Sequence, residues 1–78
     1  MATRPLPPDE GDTEFNIVFE QEDDGRWLAE IPELPGVMVY GESKDDALVK
    51  VQALAYRVVA DRIEQEKEPQ PEVRFAVA

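Results

Sequence analysis

Glu22-Asp23-Asp24-Gly25-Arg26-Trp27-Leu28-Ala29-Glu30-Ile31-Pro32-Glu33-Leu34-Pro35-Gly36-Val37-Met38-Val39-Tyr40-Gly41-Glu42-Ser43 is the stretch from which the fold can be read. It opens on turn chemistry. Acidic residues there bond to nearby backbone and Gly25 is free to take a positive φ, so Glu22–Gly25 is expected to close a bulged hairpin. Arg26 to Ile31 then alternates, with Trp27, Ala29 and Ile31 on one face and Leu28 and Glu30 on the other. Pro32 breaks that strand, and Pro35-Gly36 suits the central positions of a type II turn. Val37 to Tyr40 forms the next strand. Val37 and Val39 continue the first face, while Met38 and Tyr40 point the other way. Gly41 closes it. Ser43 is a helix N-cap, and Asp46 stands three residues later, where a capping box puts an acid, although Asp is shorter than the usual Glu or Gln.

Working outward, Phe15, Ile17 and Phe19 alternate with Asn16, Val18 and Glu20, a strand from Glu14 that pairs antiparallel with the second. Residues 1–13, which include Pro5, Pro7, Pro8, Asp9, Glu10, Gly11 and Asp12, are expected to form a disordered tail before a single domain over 14–78. Downstream, a helix is expected from Lys44 to Glu66, ending before Pro69. A last strand, Glu72 to Val77, turns Val73, Phe75 and Val77 inward. The order is β-β-β-α-β: an α+β fold with a four-stranded sheet and one helix packed on one face.

At about 100° per residue, Ala47, Leu48, Val51, Leu54, Ala55, Val58, Val59 and Arg62 share the broad stripe that should cover the sheet. Val49, Ala53, Tyr56 and Ala60 form a second, narrow stripe roughly opposite. The uncovered sheet face carries Val18, Leu28, Met38, Tyr40 and Ala76, one or more from every strand. Both surfaces are candidate protein interfaces, since contiguous exposed apolar area usually marks an interaction site. The plainer alternatives are alanines serving as good helix formers and a modest area of solvated strand residues.

A chain of 78 residues with no cysteine and no histidine holds one domain with no disulfide to staple it. A domain this small buries only roughly 60% of its unfolded surface, so a homo-oligomer is expected. The net charge of −10, from 18 acidic and 8 basic side chains, repels phosphate backbones and attracts basic partners. No direct nucleic-acid binding is expected. An acidic surface also serves plain solubility. The first residues lack the apolar run of a signal peptide, and no stretch approaches the ~20 apolar residues of a membrane span. A cytoplasmic location and no membrane contact are expected. For catalysis the chain offers little: Ser43 reads as a cap, Lys44 beside it points away, and no glycine-rich phosphate loop follows a strand. Glu20 and Glu30 share a sheet face on neighbouring strands, but such acids usually discourage edge aggregation. No enzyme activity, cofactor or metal is expected.

Taken in order, the residues from Glu20 to Ser43 resemble the HicB antitoxin domain. That family has an acidic hairpin turn with Gly, an aromatic residue in the next strand, a Pro-x-Leu-Pro-Gly turn, a short strand, and Gly-x-Thr or Gly-x-Ser capping a helix. Asp45-Asp46-Ala47-Leu48 is similar to its usual Glu-Glu-Ala-Leu helix start. The resemblance spans roughly Phe15 to Val77. It implies a partial RNase H-like fold in which the strands lie in the order third, second, first, fourth, the last parallel to the first through a right-handed crossover. It implies a partner too, since family members neutralise HicA, a small basic mRNA interferase, by covering its active surface, and they commonly self-associate. Many carry a C-terminal DNA-binding domain for autoregulation. These residues hold no counterpart of it, so DNA binding is not implied. Nuclease activity is not implied either, because the strand-borne carboxylate set of such nucleases is missing. The alternative is a stand-alone homo-oligomeric HicB-like regulator or scaffold with no toxin partner.

Overall fold

The computed structural model describes residues 12–69 and 72–77. Its elements are β1 (Asp12–Gln21), β2 (Trp27–Glu30), β3 (Met38–Gly41), α1 (Lys44–Glu66) and β4 (Glu72–Val77). The sheet order is β3-β2-β1-β4. β2 pairs antiparallel with both β1 and β3, while β4 runs parallel to β1. The β-β-β-α-β order is the one expected from the pattern, the mixed sheet is the one that the resemblance implies, and the helix runs between the expected ends. β1 begins earlier than expected, because Asp12 and Thr13 pair with Glu72 and Val73. The rest of the expected tail, residues 1–11, lies outside the described residues.

Both turns form as their chemistry dictates. In the hairpin, the Gly25 N–H donates to the Glu22 carbonyl at 2.9 Å and Gly25 takes φ 91°. The Asp24 carboxylate closes the loop by accepting from the Arg26 N–H at 3.0 Å and from its Nε at 2.8 Å. In the second turn the Val37 N–H reaches the Leu34 carbonyl at 3.0 Å, around Pro35 and a Gly36 with φ 84°. That positive φ is what position i+2 of a type II turn requires. The same double turn drives Leu34 into the core, where it is fully buried. No strand or helix period marks Leu34 as a core residue, because it lies between two turns.

Past the end of β2, the loop completes the ladder by other means. Pro32 has no N–H, and the Glu33 carboxylate takes the place of a strand neighbour for Asn16. It accepts from the Asn16 backbone N–H at 3.1 Å and from the Asn16 side-chain amide at 2.5 Å.

Helix α1 starts on a true cap: Ser43 Oγ accepts the Asp46 N–H at 3.0 Å. The reciprocal bond is displaced by one residue, since Asp46 accepts from the Glu42 N–H at 3.0 Å and not from that of Ser43. At the other end Lys67 adopts the left-handed conformation and donates its N–H to Ile63 at 2.7 Å. The helix buries Ala47, Val51, Ala55 and Val59. Leu48, Leu54 and Val58 are half-buried, while Arg62, expected on the same stripe, is exposed and lies 3.8 Å from Glu66. α1 lies closest to β3 and β2. With Phe15, Ile17, Ala29, Ile31, Leu34 and Val37, its four buried residues complete the core. The core is small: among the described residues, only Ile17, Ile31, Leu34 and Val51 are large and completely buried.

Candidate functional site

Strand register decides what the uncovered sheet face presents. Glu30 pairs with Val18 on one side and Met38 on the other, and Leu28 pairs with Glu20 and Tyr40. These six side chains therefore form two adjacent rows on the face opposite the helix. Val18, Met38 and Tyr40 are 40%, 49% and 44% exposed, and Leu28 between them is half-buried. Four of the five residues expected on this face thus form one patch. Ala76 is at its margin, opposite Asn16 and beside the charged pair Glu14 and Arg74.

The patch has a carboxylate at its centre. Glu30 is half-buried between Val18 and Met38, and among the described residues its carboxylate takes part in no hydrogen bond or ion pair. The nearby cation is already committed: the Arg26 guanidinium lies 4.6 Å above the Tyr40 ring and is paired with Asp24. Asp24 is correspondingly held below the usual carboxylate range, first by the Arg26 backbone N–H and then by its guanidinium. Covering the patch with a neutral surface would strand the Glu30 charge, which is costly. A cationic side chain would satisfy it.

The stripe on the helix differs from expectation. Val49 is 66% and Tyr56 53% exposed, and Ala53 and Ala60 are exposed beside them. The stripe does not look straight away from the sheet. Tyr56 meets Phe75 edge-on, with ring centroids 5.3 Å apart, and Phe75 lies 6.0 Å from Phe15 in the core. Val77, expected to be inward, is half exposed. The cause is common to both: α1 sits over β3 and β2, so the helix-facing side of the edge strand β4 is only partly roofed. Phe75 and Val77 therefore join the stripe in one surface.

Glu20 and Glu30 are diagonal neighbours on the open face, each opposite an apolar residue and not opposite one another. Among the described residues no group of three or more acids is placed to hold a metal ion, and no helix is long and apolar enough to cross a membrane. Of the features that matter, the sequence alone had not singled out Glu30 as unpartnered. The signal was an acid in mid-strand with apolar residues opposite, which only the register exposes. No family model, no curated protein and no solved structure matches this chain, so its residues carry the functional reading.

Proposed function

We propose that this chain is a protein-binding module of the HicB-like antitoxin kind, which acts in the cytoplasm by covering a small basic mRNA interferase with the open face of its sheet. The observation that carries this reading is Glu30, an unpartnered carboxylate set among Val18, Leu28, Met38 and Tyr40. A partner that delivers Lys or Arg to Glu30 while covering its apolar neighbours removes apolar area from water and pairs the charge in one step. A net charge of −10 also steers a basic partner toward the molecule and raises the association rate. The ordered motif from Glu20 to Ser43 adds the partner class.

The test is co-expression with a small basic protein encoded beside it, followed by calorimetry and an RNA-cleavage assay with and without this chain. Binding with loss of cleavage is expected. Glu30→Lys should weaken binding by roughly a hundredfold or more, because a buried charge pair becomes a like-charge contact. The reading fails if no such neighbour binds, or if Glu30→Lys binds as tightly as the parent.

A further inference from the structure

We propose that the free edge of β3, from Met38 to Tyr40, takes up an extended basic segment of the partner as a fifth strand of the sheet. The proposal rests on the reading above for its partner and adds how that partner is held. β3 is an outer strand, and the bond from the Ile31 N–H to the Val37 carbonyl at 3.1 Å fixes its phase against β2. In an antiparallel ladder every second opposed pair exchanges backbone bonds. Ile31 and Val37 continue the register in which Ala29 faces Val39 and Trp27 faces Gly41, so those pairs bond. The N–H and C=O groups of Met38 and Tyr40 therefore point away from β2. Among the described residues none of these four groups has a hydrogen-bond partner. The next outward donor is already closed, since the Glu42 N–H donates to Asp46 at 3.0 Å. Two donors and two acceptors in strand geometry are left, and an extended backbone is the group that matches them.

Exposed edges ordinarily carry charge, Pro or a bulge that discourages pairing. The opposite edge follows this rule: on β4, Arg74 lies 3.8 Å from Glu14 and 4.0 Å from Glu72. Met38-Val39-Tyr40 has no charge and no Pro, and its register with β2 is continuous. Charge selects the segment. Residues opposite Met38 and Tyr40 in an antiparallel added strand exchange bonds with them and share their face of the sheet. On that face Glu42 follows Tyr40 and Glu30 stands beside Met38, and neither carboxylate is paired among the described residues. Lys or Arg at those two positions lays its stem over Met38 and Tyr40 and brings its charge to the two acids. A second copy pairing β3 with β3 would instead set Glu30 and Glu42 against their equals, in a chain of net charge −10.

A short peptide of alternating lysine and valine is the probe, read by calorimetry and by amide hydrogen exchange on the full chain. In the free chain the Met38 and Tyr40 amides should exchange rapidly and those of Val39 and Gly41 slowly. Saturating peptide should slow Met38 and Tyr40 by about tenfold or more and leave the other two unchanged. N-methylation of the lysine amides, which face the edge, should weaken binding by about tenfold or more, because two hydrogen bonds are lost. N-methylation of the valine amides should leave binding nearly unchanged. A peptide of alternating glutamate and valine should not bind. The proposal is overturned by slow exchange of Met38 and Tyr40 in the free chain, or by a lysine–valine peptide that fails to bind or binds without slowing them. Equal effects of the two methylations, or equal binding of the acidic peptide, would overturn it too. It is separable from the reading above. A basic neighbour that binds without slowing these amides removes the added strand and leaves the covered face, whereas a peptide that docks while no neighbour binds does the reverse.

Discussion

Gly41→Ala tests how closely the helix is seated on the sheet. A Cβ at Gly41 would stand 2.4 Å from the Ala47 nitrogen, 2.7 Å from its Cα and 3.0 Å from its Cβ. Carbon atoms in comfortable contact are about 3.5–4.0 Å apart, so the first turn of α1 must retreat by roughly 1 Å. The two nearest atoms are backbone, so no change of rotamer relieves the overlap. Overpacking a tight core costs about 1–3 kcal/mol, and a clash with backbone should fall at about 3 kcal/mol or above. A chain of 78 residues has about 4–12 kcal/mol in total. With a urea dependence of about 1 kcal/mol per molar, the unfolding midpoint should fall by about 3 M. Trp27, which pairs with Gly41 across the strands, reports the transition by fluorescence, with helical circular dichroism as the second probe. Two comparisons isolate the cause. At Gly25 and Gly36 a Cβ meets nothing within 4 Å, so Ala there carries only the strain of a positive φ, about 1–2 kcal/mol. Adding Ala47→Gly to Gly41→Ala should not restore stability, because the backbone contact remains. A midpoint no lower than that of Gly36→Ala, or full rescue by Ala47→Gly, would refute the reasoning.

Ser43→Ala removes the acceptor for the Asp46 N–H and should cost about 1 kcal/mol, read as a lower urea midpoint with unchanged slope. An unchanged midpoint would mean that water replaces the cap at no cost. At Glu33, burial disfavours the charged carboxylate, but bonds from the Asn16 side chain, its own N–H and the Asn16 N–H outweigh that and hold its pKa below the ordinary value. A lowered folded pKa gives stability that is present above the unfolded pKa and lost as pH falls through the folded one. Glu33→Gln should therefore cost about 0.5–1 kcal/mol at neutral pH, a figure reduced for solvent exposure. The gap to the parent should close as pH falls from about 5 to below 4, and a gap that does not vary with pH contradicts the assignment. For the complex with a basic partner, added salt should slow association far more than it speeds dissociation, measurable by stopped flow.

The parts of this fold legible in the sequence are those where one residue type has one physical use. Pro35-Gly36 admits few turns, Gly25 after two acids admits few hairpins, and Ser43 before an apolar period marks a helix start. What escaped depends on distance in space. Leu34 looked like a loop residue because two consecutive turns, not a strand or helix period, aim it inward. Glu33 substitutes for a strand in bonding Asn16, seventeen positions away, and no local pattern encodes that. The helical wheel recovered the second stripe, yet placed it opposite the sheet. A wheel assumes a centred helix, whereas α1 lies toward β3 and β2, so Tyr56 reaches Phe75 and Val77 is left half exposed. For the same reason Gly41 looked like a strand end, when its bare Cα is what lets Ala47 approach.

Solubility alone does not account for how this chain distributes its charge. With 18 acidic and 8 basic side chains, it has ample charge to cover every exposed surface. It leaves the Met38–Tyr40 edge uncharged, which in a lone monomer invites nonspecific strand pairing. It also sets Glu30, without a bonding partner among the described residues, where apolar neighbours reduce its access to water. Each choice is unfavourable for an isolated domain and favourable in a contact, and both favour the same contact. Unbonded backbone on a strand edge suits an extended segment, while a half-buried carboxylate suits a cation and discourages an equally acidic second copy. Because the two stand on adjacent strands, one basic segment would meet both. Their contributions are separable, since the edge acts through backbone bonds and Glu30 through charge. The expected consequence is that Glu30→Gln weakens binding of the lysine–valine peptide and lowers its salt dependence, while saturating peptide still slows the Met38 and Tyr40 amides. Unchanged affinity and salt dependence in Glu30→Gln would mean that no cation reaches this carboxylate, and the shared contact would fail.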